Sequence, residues 1–319
     1  MAQMVVTAGI DVSKEWLDAA LWPKQSAIHV ATTAAGYAQL VAWLLEHNVD
    51  RIGLEASGGY EIAVIDALEA HGFAVVRFNA QRIHLFGKAR GRLAKNDRAD
   101  ARTIAQAAAV LVEGAPQPRR RQLDPLIELL NYRRQLCAWI VDCANQLEHL
   151  KHNTLRARTV QRQANMRRER AEIDARLAVL VDAHADWRIV AARLQTVPGV
   201  GPVLAHTLIA AMPELGTLSR RAIASLAGLA PYDRDSGHHR GERHVAGGRA
   251  GVRAVLYMAA LAARRYNTAI AAFAARLAGK KPKVIITACM RKMLVILNAM
   301  LRDGTDWNDG GATGIPRFD

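Results

Sequence analysis

The chain has 319 residues, 51% of them apolar and 5% aromatic, and its 43 Lys and Arg against 29 Asp and Glu give a formal net charge of +14. That length suits two domains at roughly 100–200 residues each, and positive charge clustered in runs such as Arg119–Arg121 attracts polyanions by counterion release. Cys137, Cys143 and Cys289 lack metal-ligand spacing, no apolar run reaches the roughly 18 residues of a membrane span, and Met1–Ile10 lacks a signal-peptide pattern.

These exclusions leave a cytoplasmic, bacterial-type protein acting on nucleic acid, with no membrane partner. In chain order, Val5–Asp11 is short, β-branched and apolar, and predicts a buried strand that ends at an acid. Trp16–Trp22 and Ala27–Thr33 predict two more strands, with Pro23 and Lys24 at the turn between them. Leu40, Leu44 and Leu45 give Gly36–His47 a helical face. Arg51–Glu55 predicts a strand that again ends at an acid, followed by Gly58-Gly59, a helix over Tyr60–His71 and a strand over Phe73–Arg77. The order β-β-β-α-β-α-β describes an α/β domain with a mixed sheet.

A basic stretch follows, with Lys88, Arg90, Arg92 and Lys95, and Asn96 offers an N-cap for a helix over Asp97–Val112. Pro116, Pro118 and the three arginines after them mark a linker. From Leu126 to about Val190 the pattern is helical nearly throughout, with a break near Asn153 or Thr154 that makes two antiparallel helices, a long helical coiled-coil arm with arginines on its solvated face. A second globular, helical domain starts at Leu194. It carries a Gly- and charge-rich insertion over Asp233–Gly251 and an alanine-rich helix over Val252–Arg264, and the Gly- and Asp-rich tail frays. The fold class is α/β plus all-α, divided as residues 1–121, 122–190, 191–302 and a flexible tail over 303–319.

Three constellations carry chemistry. Asp11 and Glu55 end strands, and Asp97 and Asp100 lie one turn apart at the start of a helix. Such positions are where an open α/β sheet places its site. Carboxylates gathered there suit Mg²⁺ or Mn²⁺, and two such metals roughly 4 Å apart can drive phosphoryl transfer. The other reading of Asp97 and Asp100 is favourable interaction with the helix dipole alone. Gly199 and Gly201 in Pro198-Gly-Val-Gly resemble half of a helix-hairpin-helix, whose backbone N–H groups approach a DNA phosphate, though a glycine turn between helices is common. The third is Ser236-Gly237 among His238, His239, Arg240, Arg243 and His244, with Arg249 and Arg253 beyond. Ser236 is either an unhindered nucleophile whose basic neighbours hold a phosphodiester, or one more donor on a phosphate-gripping loop.

Together, Gly9-Ile-Asp11-Val-Ser-Lys14, Leu54-Glu55-Ala-Ser-Gly58-Gly-Tyr60, Lys95-Asn-Asp97-Arg-Ala-Asp100-Ala101, and Gly228-Leu-Ala-Pro231 with Ser236-Gly237 resemble the DEDD recombinases of bacterial insertion sequences. The resemblance covers nearly the whole chain in the right order. It implies an N-terminal domain with the RuvC-like form of the RNase H fold, and an acidic tetrad of Asp11, Glu55, Asp97 and Asp100 holding Mg²⁺ or Mn²⁺. It implies a C-terminal transposase domain in which Ser236 cleaves DNA through a covalent 5′-phosphoserine. It further implies guidance by a non-coding bridge RNA that pairs with target and donor DNA. The coiled-coil arm would join protomers into a homo-oligomer, a dimer assembling to a tetramer on DNA. The competing reading from the residues is a RuvC-like junction nuclease that uses water, with Ser236 structural. Nucleic-acid contacts are expected from Lys88, Arg90, Arg92, Lys95, Gly199, Gly201, His239, Arg240, Arg243, Arg249 and Arg253.

Overall fold

The computed structural model describes residues 5–91, 97–111, 121–232, 241 and 243–308, with only the backbone described at 97–99. The chain divides into two compact units, residues 1–120 and 121–319.

Unit 1 is built on a mixed sheet. β1 (Thr7–Val12), β2 (Trp16–Trp22) and β3 (Ala27–Ala31) form an antiparallel meander. Helix α1 (Ala34–Glu46) then carries the chain to β4 (Arg51–Glu55), parallel to β1 on its other side, and α2 (Glu61–Ala70) leads to β5 (Val75–Phe78), parallel to β4. The strand order is β3-β2-β1-β4-β5. The alternation along each strand sorts the two faces. Ala8, Ile10 and Val12 of β1 and Ile52 and Leu54 of β4 pack with Leu40 and Leu44 of α1 and Val64 and Leu68 of α2. The opposite face carries Ile104, Ala107 and Ala108 of α4 (Asp97–Val110), together with Phe78 and with Ile83 of α3 (Ala80–Ala89).

Helix α3 is not anticipated by the sequence pattern. Only Ile83 and Gly87 are buried along it, so its apolar stripe is too sparse to stand out. The local signal is Asn79, whose side chain accepts a hydrogen bond from the Gln81 N–H at 2.9 Å and caps the helix.

Unit 2 begins with a single 3-10 turn, Arg121–Leu123, and the helices α5 (Asp124–His149) and α6 (Asn153–Asp182). The break between them falls at 150–152, where the Arg156 guanidinium donates to the carbonyls of Leu147 and Leu150 at 2.7 Å and satisfies the end of α5. Leu126 and Leu136 of α5 and Ile173, Leu177 and Val181 of α6 belong to the main core of the unit. Further along the pair the seam turns polar, with Thr159 and Gln163 buried and Gln163 Nε2 donating to the Ile140 carbonyl at 3.0 Å.

The expected continuous helix to Val190 is interrupted at 183–184, and α7 (Ala185–Gln195) starts anew. Helices α8 (Pro202–Ala211), α9 (Arg220–Leu226), α10 (Ala250–Tyr266), α11 (Thr268–Ala275) and α12 (Pro282–Asp303) complete the unit, with a two-residue ladder of β6 (Pro231–Tyr232) and β7 (His244–Val245). By composition α12 does contain a segment of membrane-span length, with a mean hydropathy of 1.8, because Arg291 and Lys292 interrupt it without lowering the average far. Within the protein 56% of that window is buried, and Cys289, Met293, Leu294 and Leu297 are core side chains. Burial rather than length therefore makes α12 a core helix.

Candidate active site

The first constellation is assembled by glycine. On β1, Thr7, Gly9 and Asp11 share a face, and on β4 so do Arg51, Gly53 and Glu55, because side chains alternate along a strand. The register pairs Thr7 with Arg51 and Gly9 with Gly53, so Asp11 and Glu55 follow as the next rank on neighbouring parallel strands. Helix α4 lies across these ranks. A Cβ on Gly9 would meet the Ala105 nitrogen at 2.2 Å, and one on Gly53 would meet Ala108 Cβ at 2.9 Å. The helix is pinned further along, where Thr7 Oγ1 donates to the Ala105 carbonyl at 2.8 Å and Arg51 Nη1 to the Ala108 carbonyl at 3.2 Å. Residues 97, 100, 101, 104, 105 and 108 are one helical face. With Ala101 over Gly9, the start of α4 falls at the strand end that carries Asp11 and Glu55.

Asp11, Glu55 and Asp100 are each half-buried. The Asp97 backbone opens α4, and its side chain lies outside the described residues. Among the described residues no three carboxylate, histidine or cysteine side chains gather within metal-binding reach. The donors are nonetheless all carboxylates at one end of one sheet, a set whose chemistry fits a hard divalent cation.

Sequence reasoning missed Glu61, which is fully buried directly after the Glu55 loop. Its Oε2 accepts from the backbone N–H of Ser57 at 3.1 Å and of Gly59 at 2.8 Å, while Ser57 Oγ donates to the Glu55 carbonyl at 3.1 Å. Gly58 and Gly59 take φ of 72° and 112°, which turns the loop back onto this carboxylate. Arg77 Nη2 stands 2.6 Å from Oε1 as an ion pair, in a geometry that gives Oε1 no directed hydrogen bond. Burial pushes the Glu61 carboxyl up. The N–H groups of Glu61 itself and Gly59, the Arg77 charge and the Ser57 N–H together outweigh it and hold the group below the ordinary carboxylate range. An acid at a helix start is visible in sequence, but its burial depends on Arg77 from a later strand.

Of the basic candidates in unit 1, Lys88 and Arg90 are exposed at the end of α3. The Arg90 guanidinium lies 5.8 Å from the Trp22 ring centroid and Arg102 lies 5.6 Å from the same ring. Arg92 and Lys95 lie outside the described residues.

In unit 2, Gly199 and Gly201 have different duties. Gly199 has a φ of 100°, and a Cβ there would stand 2.7 Å from the Ala263 backbone, so the packing of α10 already requires glycine. Gly201 is exposed before α8, with open space where a Cβ would go.

Ser236, His238, His239 and Arg240 lie outside the described residues, but the base of their segment is described. Pro231 pairs with Val245 and Tyr232 with His244, which brings both ends of 233–243 together. Just below, Gly228 and Gly248 allow their backbones to touch, since a Cβ on Gly248 would stand 2.1 Å from the Gly228 nitrogen. Arg253 donates to the carbonyls of Ala227 and Gly247 across this contact. Arg249 donates to the Ala211 carbonyl at 2.6 Å and makes a two-pronged pair with Glu214 at 2.6 and 2.7 Å. These two arginines thus brace the base of the serine-bearing segment, while Arg243 is exposed at its rim.

Comparison with known proteins finds relatives over most of the chain. A DEDD transposase family model matches residues 8–152, and the model of the transposase IS116/IS110/IS902 family matches residues 191–275. Two relatives are pilin gene-inverting proteins, from Moraxella lacunata at 27% identity and Moraxella bovis at 28%, each match covering 92% of this chain and 95% of the relative. Among solved structures, RuvC of Thermus thermophilus is similar at 16% identity over 33% of this chain and 93% of RuvC, with a TM-score of 0.26, a likeness too slight to add to the sheet order itself. Two family models, both of IS110-type transposases, thus match separate stretches of the chain in order, and the chain is similar to that family.

Proposed function

We propose that the protein cuts and rejoins DNA through the hydroxyl of Ser236, with Asp11, Glu55, Asp97 and Asp100 holding Mg²⁺ or Mn²⁺. The observation that carries the reading is the Gly9–Gly53 rank beneath α4, which leaves two strand-end carboxylates and the start of an acid-bearing helix at one end of the sheet. A cation held there would supply Lewis acidity toward a phosphodiester oxygen. Ser236 Oγ attacks phosphorus and gives up its proton to a base. The Oγ–P bond forms, the P–O3′ bond breaks, and the leaving 3′ oxygen takes a proton. His239, Arg240 and Arg243 hold the phosphate and stabilise its developing charge. Rejoining is the reverse attack by a 3′-hydroxyl, so the phosphodiester energy is kept and no nucleotide is consumed.

The name of the Moraxella relatives favours this over a junction nuclease that uses water. A gene inverter must reseal every end it makes, whereas hydrolysis discards the bond energy needed for resealing. Sequence choice would come from a non-coding bridge RNA paired with target and donor DNA, the protein supplying backbone contacts. Exposed Trp139, Val141, Leu155 and Val160 on α5 and α6 support contact with a second copy, in a dimer that becomes a tetramer on DNA. The metal half of the reading is tested by Asp11→Asn and Asp97→Asn. Each should abolish Mg²⁺-dependent strand cleavage and leave DNA affinity intact, and wild-type cleavage by either variant would refute the assignment.

A further inference from the structure

Between Glu242 and Asp303 the chain contains no acidic residue, so every side chain charged at neutral pH on α10, α11 and most of α12 is a cation. These cations concentrate at the turn from α11 to α12. Arg276 caps the end of α11, Gly279 turns the chain with a φ of 90°, and Lys281 and Pro282 open α12. Arg276, Lys280, Lys281 and Lys283 are all exposed. Behind them sits Phe273, with the Arg276 guanidinium 5.6 Å and the Lys292 ammonium 5.0 Å from its ring centroid. Burial, and after it the Arg276 charge, pushes the Lys292 ammonium below the ordinary lysine range.

Two alternatives are disfavoured by what surrounds the turn. Adsorption to a membrane surface needs an exposed apolar face beside the charge, and the apolar side chains of α12, from Ile286 through Met290 to Met293, are committed to the core. Base stacking needs an open aromatic face, and cations already flank the Phe273 ring. What remains exposed, beside the single apolar side chain of Val284, is a group of cations next to a helix N-terminus, which suits phosphates.

We propose that the α11–α12 turn, with Arg276, Lys280, Lys281 and Lys283 around Phe273, is a docking surface for the phosphodiester backbone of duplex DNA, gripping phosphates without reading bases. The choice of DNA rests on the recombinase reading. The test uses the full chain with Lys280→Gln, Lys281→Gln and Lys283→Gln combined, and a matched variant with Arg158→Gln, Arg162→Gln and Arg167→Gln on exposed positions of α6. Affinity for a short duplex DNA of arbitrary sequence, and for the same duplex in RNA, is measured across salt concentrations. Each phosphate contact contributes about 0.9 to the slope of log K against log salt. The turn variant should therefore lose about 2–3 from the DNA slope, with its deficit closing at high salt. Turnover at saturating DNA should be unchanged, which separates failure of this surface from failure of the recombinase reading. An unchanged DNA slope, an equal loss in the α6 variant, or a loss confined to RNA would each overturn the proposal.

Discussion

A Cβ on Gly9 would stand 2.1 Å from the carbonyl oxygen of Ala101, so helix α4 can lie on strand β1 only because residue 9 has no side chain. Gly9 is two residues before Asp11, and Ala101 directly follows Asp100. The close approach that packs the helix is therefore also what brings the acids to one end of the sheet.

Gly9→Ala should consequently damage stability and activity together. The neighbour is backbone and cannot rotate away, so the cost should be at least about 1–3 kcal/mol. Gly87→Ala on α3 is the control, because a Cβ there meets only Thr103 Cγ2 at an ordinary 3.6 Å. Replacing glycine inside a helix should then be neutral or stabilise by about 0.5–1 kcal/mol. Thermal melts of the two variants check the contrast, and a Gly9→Ala protein as stable as wild type would contradict the packing.

Glu61 makes the loop after Glu55 sensitive to acid. Its folded pKa is lowered, so its contribution is present above the unfolded carboxylate value and is lost as pH falls through the folded one. Glu61→Gln keeps the shape and removes the charge facing Arg77 and the Ser57 and Gly59 N–H groups. It should cost about 1–3 kcal/mol at neutral pH. Melting curves across pH should show the two proteins converging in acid, and a pH-independent gap would mean that the charge contributes nothing.

The glycine turn before α8 gives a paired prediction. Gly199→Ala should destabilise the protein whatever it does to binding, because both its φ of 100° and the approach of Ala263 exclude a side chain. Gly201→Ala should fold normally, since nothing stands where its Cβ would go. If a phosphate rests on this turn, Gly201→Ala weakens DNA binding with unchanged melting. Equal melting temperatures for the two variants would contradict the structural half.

Arg249 and Arg243 separate bracing from binding. Arg249→Ala breaks the two-pronged Glu214 pair and should lower stability by about 1–3 kcal/mol. Arg243→Ala, at the exposed rim, should cost less stability than Arg249→Ala and reduce the salt slope of DNA binding by about 0.9. The opposite pattern would exchange their roles.

What the sequence made legible follows from the range of the interactions involved. The strands that carry Asp11 and Glu55 at or next to their ends, and the helix opening at Asp97, announce themselves by periodicity, which is local. Helix α3 does not, because only Ile83 and Gly87 of it are buried. The β6–β7 ladder is two residues long on each side, too short for any alternation. Arg249 and Arg253 look in sequence like members of a basic surface run, yet Arg249 is held by Glu214 from outside that run and Arg253 by the Ala227 and Gly247 carbonyls. The duty of Gly9 as a helix seat was likewise hidden, since Ala101 and Ala105 reach it from far along the chain.

The most direct test of the account is the chemical identity of the DNA–protein link. With a nicked duplex that traps the reaction before rejoining, the protein should carry DNA that survives denaturant, and peptide mapping should find it on Ser236. Ser236→Ala should lose both the adduct and the recombinant product while melting and binding DNA like wild type, and Ser225→Ala, altered at an exposed position on α9, should retain both. A link mapped to any other residue, or full recombination by Ser236→Ala, would contradict the serine mechanism, and strand cleavage by the wild-type protein with no adduct at all would favour hydrolysis by water.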